Sequence, residues 1–187
     1  GSDYLYGGAG ADTMSGGIGN DDIYGYSGAD RIDGGDGDDD IWVDGNVVIA
    51  ALQGGTGTDK LVVSGTKGVT IDLTATSIER FEGTEAADGV DGSAQTIALS
   101  LTGNGGNDTL LGSVLNDSLY GGEGSDSIVG SDGNDNVYGG NGDDIIDGGS
   151  GNDTIRAEGG NNTIDGGIGD DYLYGGSGAE TIVAMRS

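Results

Sequence analysis

Residues 103–183 read GNGGNDTLL, GSVLNDSLY, GGEGSDSIV, GSDGNDNVY, GGNGDDIID, GGSGNDTIR, AEGGNNTID, GGIGDDYLY and GGSGAETIV, nine consecutive units of nine residues. The same register opens the chain. From Gly7 it reads GGAGADTMS, GGIGNDDIY, GYSGADRID and GGDGDDDIW, with Asp3 and Leu5 of a partial unit in front. One more unit, GGTGTDKLV, fills residues 54–62. The shared pattern is G-G-x-G-x-D-x-U-x, where U is aliphatic. A period of this kind sets the architecture before any local propensity is consulted.

Each position has a physical task. Glycines at positions one, two and four are expected to take positive φ and turn without a Cβ clash. The aspartate at position six offers a carboxylate to a hard cation. Positions seven to nine form a short extended stretch with alternating side chains, so the aliphatic residue at position eight faces one way and its neighbours the other. That residue runs from Leu5 and Met14 through Ile128 to Leu173 and Ile182. One apolar residue in nine suffices for a core only if successive strands stack around a narrow interior.

A second period sets the stacking. At position nine, Tyr6, Tyr24 and Trp42 recur every second unit, as do Tyr120, Tyr138 and, after Arg156, Tyr174. The units between carry Ser15, Asp33, Val129, Asp147 and Asp165. This alternation predicts two units per coil on opposite faces. The fold class is therefore all-β, a parallel β-roll or right-handed β-solenoid with two nonapeptide repeats per coil, its coils about 4.8 Å apart. The aromatics form an outer ladder. It serves either as a stiffening strip or as a docking strip for a surface glycan or a neighbouring protein, self-association included.

Over roughly two thirds of its length the sequence resembles the RTX family, the repeats-in-toxin or hemolysin-type calcium-binding nonapeptide repeat. The resemblance implies a β-roll, export by type I secretion and work outside a bacterial cell, secreted or at the surface. The parent protein is then a surface-layer protein, an adhesin, a toxin or a secreted enzyme. A surface or adhesin role suits two arrays separated by degenerate coils. A polysaccharide-binding module of a secreted enzyme or toxin is the rival. An ice-binding solenoid would want a regular outward threonine array, and Thr13, Thr109, Thr154, Thr163 and Thr181 are too scattered.

In a roll with two units per coil, the turn of one unit lies beside the turn two units on. Calcium takes about six to eight oxygens at flexible geometry, which suits aspartates from two stacked turns plus glycine-turn carbonyls. The candidate ligands are Asp12, Asp21, Asp30, Asp39, Asp59, Asp108, Asp117, Asp126, Asp135, Asp144, Asp153 and Asp171, with Asp3 beside them. The expected pairs are Asp12 with Asp30, Asp21 with Asp39, Asp108 with Asp126, Asp117 with Asp135, Asp126 with Asp144, and Asp135 with Asp153. That pairing predicts roughly eight to ten calcium ions. The bland alternative is that these carboxylates only cap turns. Asn162 and Glu180 replace the position-six aspartate, so sites beside them should be weak or empty. Leu115 replaces a position-four glycine and should distort its turn.

Three stretches are expected: a first array at 1–42, degenerate solenoid coils at 43–102 enclosing the isolated unit 54–62, and a second array at 103–187. The middle stretch retains alternating runs at Val69, Ile71, Leu73 and at Ile97, Leu99, Leu101. They predict wider coils that continue the solenoid, with a separate inserted subdomain as the alternative. Asp88 and Asp91 are candidates for an additional, non-repeat site.

Composition narrows the function classes. Acidic residues outnumber Lys and Arg by 33 to 6, the net charge is −27, and Pro, Cys and His are absent. Nucleic acid is excluded as a partner because phosphate contacts need Lys and Arg. Membrane insertion is not expected, since the longest apolar run, Val47–Leu52, is far too short. Zinc and copper lack their preferred ligands. Without His or Cys, nucleophilic triads are excluded, and no H-E-x-x-H or G-x-S-x-G occurs. The chain is read as no enzyme. The leading Gly1-Ser2 and the lack of a recognisable secretion signal read as those of a fragment. Low hydrophobicity with high charge predicts a chain that is disordered without calcium and folds on binding it.

Overall fold

The computed structural model describes residues 1–45, 51–74 and 76–185. Among these residues there are twenty strands and no helix. Strands such as Ser118–Glu123 and Ser127–Asp132 cover positions seven to nine and continue through positions one to three of the next unit. They are six residues long, twice the expected extended stretch. The chain stays in the ladder because the position-two residue bends by its φ: Tyr120 pairs with Tyr138, and then Gly122 with Gly140.

All pairing is parallel. Leu119 lies between Leu101 and Val137, each eighteen residues away along the chain. One sheet of ten strands runs from Tyr4–Ala9 to Tyr172–Ser177, taking every second strand. The opposite face is split. Three strands, from Thr13–Ile18 to Ala51–Thr56, form one sheet, and seven, from Thr70–Asp72 to Thr181–Met185, form another. This is the parallel solenoid with two units per coil that the alternation at position nine demands.

Position-eight side chains fill the space between the faces. Ile23, Ile41, Leu61, Leu119, Ile128 and Ile155 are fully buried. Coils at either end cover theirs less well: Leu5 and Leu173 are partly buried, and Ile182 is 47% exposed.

In the middle stretch the coils widen. Lys60 pairs with Arg80, and Arg80 with Ser100, steps of twenty residues in place of eighteen. The expected apolar runs do face inward. Leu73, Leu99 and Leu101 are buried, with Val69, Ile71 and Ile97 packed against them. Ile78, Phe81 and Val90 add bulk that the short repeat lacks. These strands pair into the same sheets as the flanking repeats.

The glycines divide into two kinds, which corrects one expectation. Positions two and four take positive φ, as at Gly122 (117°), Gly124 (120°), Gly140 (108°) and Gly142 (131°). Position one does not: Gly121 and Gly139 have ordinary φ. Glycine is needed there because a Cβ would run into the aspartate of its own unit and the backbone carbonyl of the next coil. Tyr26, Asn104, Ser131 and Glu158 hold position two with a side chain and still take positive φ, at 59°, 77°, 85° and 68°, whereas Ser113 does not.

Core truncation should follow this burial. Ile128→Ala is expected to cost about 2–5 kcal/mol in the calcium-loaded protein, and Ile182→Ala far less. Chemical denaturation of the two variants measures the difference.

Candidate metal centre

The position-six aspartates form two columns, one at each edge of the roll. In each column the backbone N–H of one aspartate donates to Oδ1 of the next coil's aspartate. Asp21 donates to Asp39 (2.8 Å), Asp108 to Asp126 (2.8 Å), Asp126 to Asp144 (2.9 Å), and Asp135 to Asp153 (2.8 Å). Asp12 donates to Asp30 at 3.1 Å and Asp117 to Asp135 at 2.8 Å. Every expected pair is thus brought together. Asp39 and Asp59 also meet, across a twenty-residue coil, and Asp153 meets Asp171. Most of these carboxyls are buried; Asp12 and Asp171 are half-buried.

The second oxygen is left over. Oδ2 of Asp12, Asp21, Asp30, Asp39, Asp59, Asp108, Asp126, Asp135, Asp144, Asp153 and Asp171 is buried without a hydrogen-bond partner. Each faces the position-one glycine of its own unit, in a space where a Cβ would overlap it. In most units a position-one carbonyl of the next coil borders the same space; Gly139 O does so above Gly121, and Gly166 O above Gly148. Among the described residues no three acidic side chains converge. Any shell must therefore mix carboxylate and backbone oxygens, which suits the flexible coordination of calcium better than the strict octahedron of magnesium. The residues present fit a hard divalent cation. The position-six aspartates with an unpaired oxygen would hold it, and the ion would supply the positive charge those oxygens lack.

Burial raises the pKa of these carboxyls. Desolvation pushes Asp39, Asp117, Asp126 and Asp153 above the usual carboxylate range, Asp59 and Asp144 up to about 6, and Asp108 and Asp135 up to about 7. Backbone N–H donation to the same groups opposes the rise, and burial outweighs it.

Asp117 departs from the set. Its Oδ2 accepts from Ser113 N–H, and its Oδ1 from the Leu99 N–H (2.6 Å) and Ser113 Oγ (3.0 Å). Leu115, with ordinary φ, donates its N–H to Ser113 Oγ, so the turn is reshaped as Leu115 predicts. Asp88 sits in an equivalent turn. Its oxygens accept from Val69 N–H (2.7 Å) and from Thr84 N–H (2.6 Å) and Oγ1. Asp91 is exposed and caps Ser93, so it does not join Asp88 in one buried site.

The two substituted units differ from each other. Glu180 accepts from Asn162 N–H through Oε2 and leaves Oε1 buried and unpaired, the arrangement of the aspartates one methylene further out. Asn162 offers Oδ1 to Asp144 N–H and turns its amide toward Gly159 O. Its unit also carries Ala157 in place of the position-one glycine. Val63 and Val69 hold the corresponding two places in a middle coil. In these two units a Cβ at position one goes with loss of the carboxylate at position six, whereas the coil with Leu73 at position one keeps one, Glu79, whose Oε2 accepts from Asp59 N–H.

A second column went unread in the sequence. At position five, side-chain oxygens accept the N–H of the next coil: Asn116 from Asn134 (2.8 Å), Asn134 from Asn152 (2.7 Å), and Asn152 from Asp170 (2.8 Å). These residues are exposed and neutral for the most part. The signal was available in the frequency of Asn, Asp and Ser at a position taken as variable.

The aromatic ladder stands on the ten-stranded sheet. Tyr6 stacks on Tyr24 with ring centroids 5.0 Å apart, Tyr24 on Trp42 at 4.5 Å, and Tyr120 on Tyr138 at 4.8 Å. Arg156 fills one rung as a cation between Tyr138 (5.3 Å) and Tyr174 (5.2 Å). Tyr24, Tyr26 and Trp42 also line a concavity of about 390 Å³.

Two outcomes follow. Gly130→Ala places a Cβ against Asp135 Oδ2 and Gly148 O. It should cost about 1–3 kcal/mol and lower the calcium stoichiometry measured by calorimetry. Gly89→Ala, whose Cβ would meet nothing closer than Thr70 at 3.5 Å, should do neither. The second outcome is a pH response. The raised carboxyls bind more protons in the folded state than in the unfolded one. The ion-free roll is therefore most stable below the ordinary carboxylate range and loses that stability as pH rises through about 6 to 7. In chelator, circular dichroism should show more β-structure at pH 5 than at pH 7.5, and excess calcium should abolish the difference.

Comparison with known proteins agrees with this geometry. The sequence model of the RTX calcium-binding nonapeptide repeat, described as four copies, matches residues 1–23, 15–46, 100–119, 120–155 and 147–182. No curated protein matches the chain. The matched segments span more than half of the sequence and contain all the aspartates with an unpaired buried oxygen except Asp59; the chain belongs to the RTX calcium-binding nonapeptide repeat family.

Proposed function

We propose that this chain is a structural module that folds when it meets calcium outside the cell, as part of a larger type I-secreted bacterial protein. A surface-layer protein or adhesin is the favoured parent, because two arrays joined by degenerate coils suit a long structural solenoid. The observation that carries the reading is the register of buried carboxylates, each with one oxygen bonded to the neighbouring coil and one unpaired. The aspartates at 12, 21, 30, 39, 59, 108, 126, 135, 144, 153 and 171 act as ligands. Asp117 contributes through its place in the column. Roughly eight to ten ions fill the turns and cancel most of the net charge. The arrays at 1–42 and 103–187 carry most of the ions, and 43–102 serves as the link between them. The module itself performs no catalysis.

Folding follows from electrostatics and entropy together. Without cations the stacked carboxylates repel one another, and one apolar residue per unit cannot offset the entropy of the ordered chain. With calcium each added coil gains both ion bridges and apolar cover. Extracellular calcium modules work at about 10⁻⁴ to 10⁻³ M, a range that keeps such a chain open in the cytosol and closes it after export.

A second reading has its own support. Aromatic rungs beside a concavity lined by Tyr24, Tyr26 and Trp42 suit the faces of sugar rings. Polysaccharide binding that survives in wild type and is lost in Trp42→Ala on a glycan array would favour it.

Circular dichroism during a calcium titration tests the main reading. The β signal should rise cooperatively between micromolar and millimolar calcium. Asp126→Asn with Asp144→Asn should move the midpoint several-fold higher. A β spectrum indifferent to chelator at neutral pH would refute the reading.

A further inference from the structure

The middle coils close their turns in a different way from the arrays. In the array turns one aspartate oxygen is buried with no partner. Between Val69 and Asp117, among the described residues, only Asp108 is left in that state. Val69 and Leu99 stand where the columns would place an aspartate, and neither has a charge to neutralise. Asp88 and Asp117 have both oxygens satisfied, by Thr84 and Ser113 from within their own turns and by a neighbouring coil's N–H. The turns at 83–88 and 112–117 share one design: a Ser or Thr at position two donates N–H and hydroxyl to the aspartate, and its oxygen accepts the N–H of position four.

Three further closures lie in the same coils. Asp72 caps Thr74 and Asp91 caps Ser93. Gln95, buried, donates its side-chain amide to Leu73 O, and Thr76 donates its hydroxyl to the same carbonyl. The interior is also richer here, with Leu73, Ile78, Phe81, Val90, Leu99 and Leu101 buried within about three coils. Of the six cationic side chains in the chain, Lys60, Lys67 and Arg80 lie at or beside this segment, and Lys60 pairs with Glu82. Every term that makes the arrays depend on an ion is reduced in these coils.

We propose that residues 69–117, whose one ion-seeking turn is that of Asp108, form a block that stays folded when calcium is withdrawn and offers its two outer strands as templates for the arrays on either side. The inference rests on the reading that the arrays themselves need calcium. Stacked repeats fold by nearest-neighbour addition, so a preformed coil removes the slow step of starting a new stack. An exposed parallel strand is a ready template for the next one. The ten-stranded sheet passes through the block without a break, so growth can run from it toward both ends.

Hydrogen exchange with mass spectrometry on the full chain tests this, in calcium and in chelator at pH 7.5. In chelator, peptides from 69–117 should keep slowed exchange while those from 16–45 and 121–182 exchange freely. Fast exchange across the whole chain in chelator, reversed by calcium, would overturn the block and leave the calcium reading intact. Slow exchange of the arrays in chelator would instead overturn the calcium reading. A second variant addresses the closure itself. Ser113→Gly with Leu115→Gly rewrites GSVLND as a glycine turn. Its chelator-resistant protection near 109–120 should fall and its calcium stoichiometry should rise. Retention of wild-type protection and stoichiometry in that variant would overturn the assignment.

Discussion

A buried aspartate hands one oxygen to the amide of the coil beside it and leaves the other facing a glycine. The first contact sets the register between coils; the second leaves a charge with nothing to neutralise it. A buried ionised carboxylate without a partner is expensive, and the usual escape is to take up a proton. Burial pushes Asp108 and Asp135 in that direction, up to about 7. A divalent cation is the alternative. Held by the unpaired oxygens, it would supply the positive charge they lack, which a proton supplies only by removing the negative one.

This demand reaches back into the repeat. Glycine at position one has ordinary φ at Gly121 and Gly139, so conformational freedom does not explain it. The reason is space: a Cβ would occupy the room beside the unpaired oxygen. The exceptions obey the same logic. Ala157 goes with Asn162, whose amide turns inward to Gly159 O, and Val63 goes with Val69, which brings no oxygen at all. Two middle units stand outside this pattern: Gly92 goes with Leu99, and Leu73 goes with Glu79.

Much of this was legible in the sequence because the repeat is physically redundant. The alternation of Tyr6, Tyr24 and Trp42 with Ser15 and Asp33 gave two units per coil, and the coil spacing then gave the aspartate pairs. What escaped reading were contacts that depend on one departure from the pattern. Ser113 looks like a tolerated substitution for glycine, yet its N–H and hydroxyl take over the oxygens of Asp117. Glu180 looks like a loss of function, yet one extra methylene leaves its reach intact, with Oε2 on Asn162 N–H and Oε1 unpaired. The position-five column was hidden because Asn, Asp and Ser there resemble ordinary turn residues. Their side chains bond across coils, not within the turn, and no local rule sees that distance.

The two turn chemistries divide the roll's stability along its axis. In a solenoid each coil touches only its neighbours, so stability is close to a sum of coil terms and interface terms. Array coils have little apolar area at their interfaces, since Ile128 or Val137 is the main apolar side chain of its unit. Middle coils reverse the balance, with Phe81, Ile78 and Leu73 inside and hydroxyl-closed turns at the edge. On the proposed reading the first kind responds to calcium, because its buried carboxylates each leave one oxygen unpaired. Among the described residues of the second kind, only Asp108 has a buried oxygen left unpaired. Placing the second between two stretches of the first joins a permanent segment to two conditional ones through a single continuous sheet. Calcium can then govern how far the ordered sheet extends without having to create it.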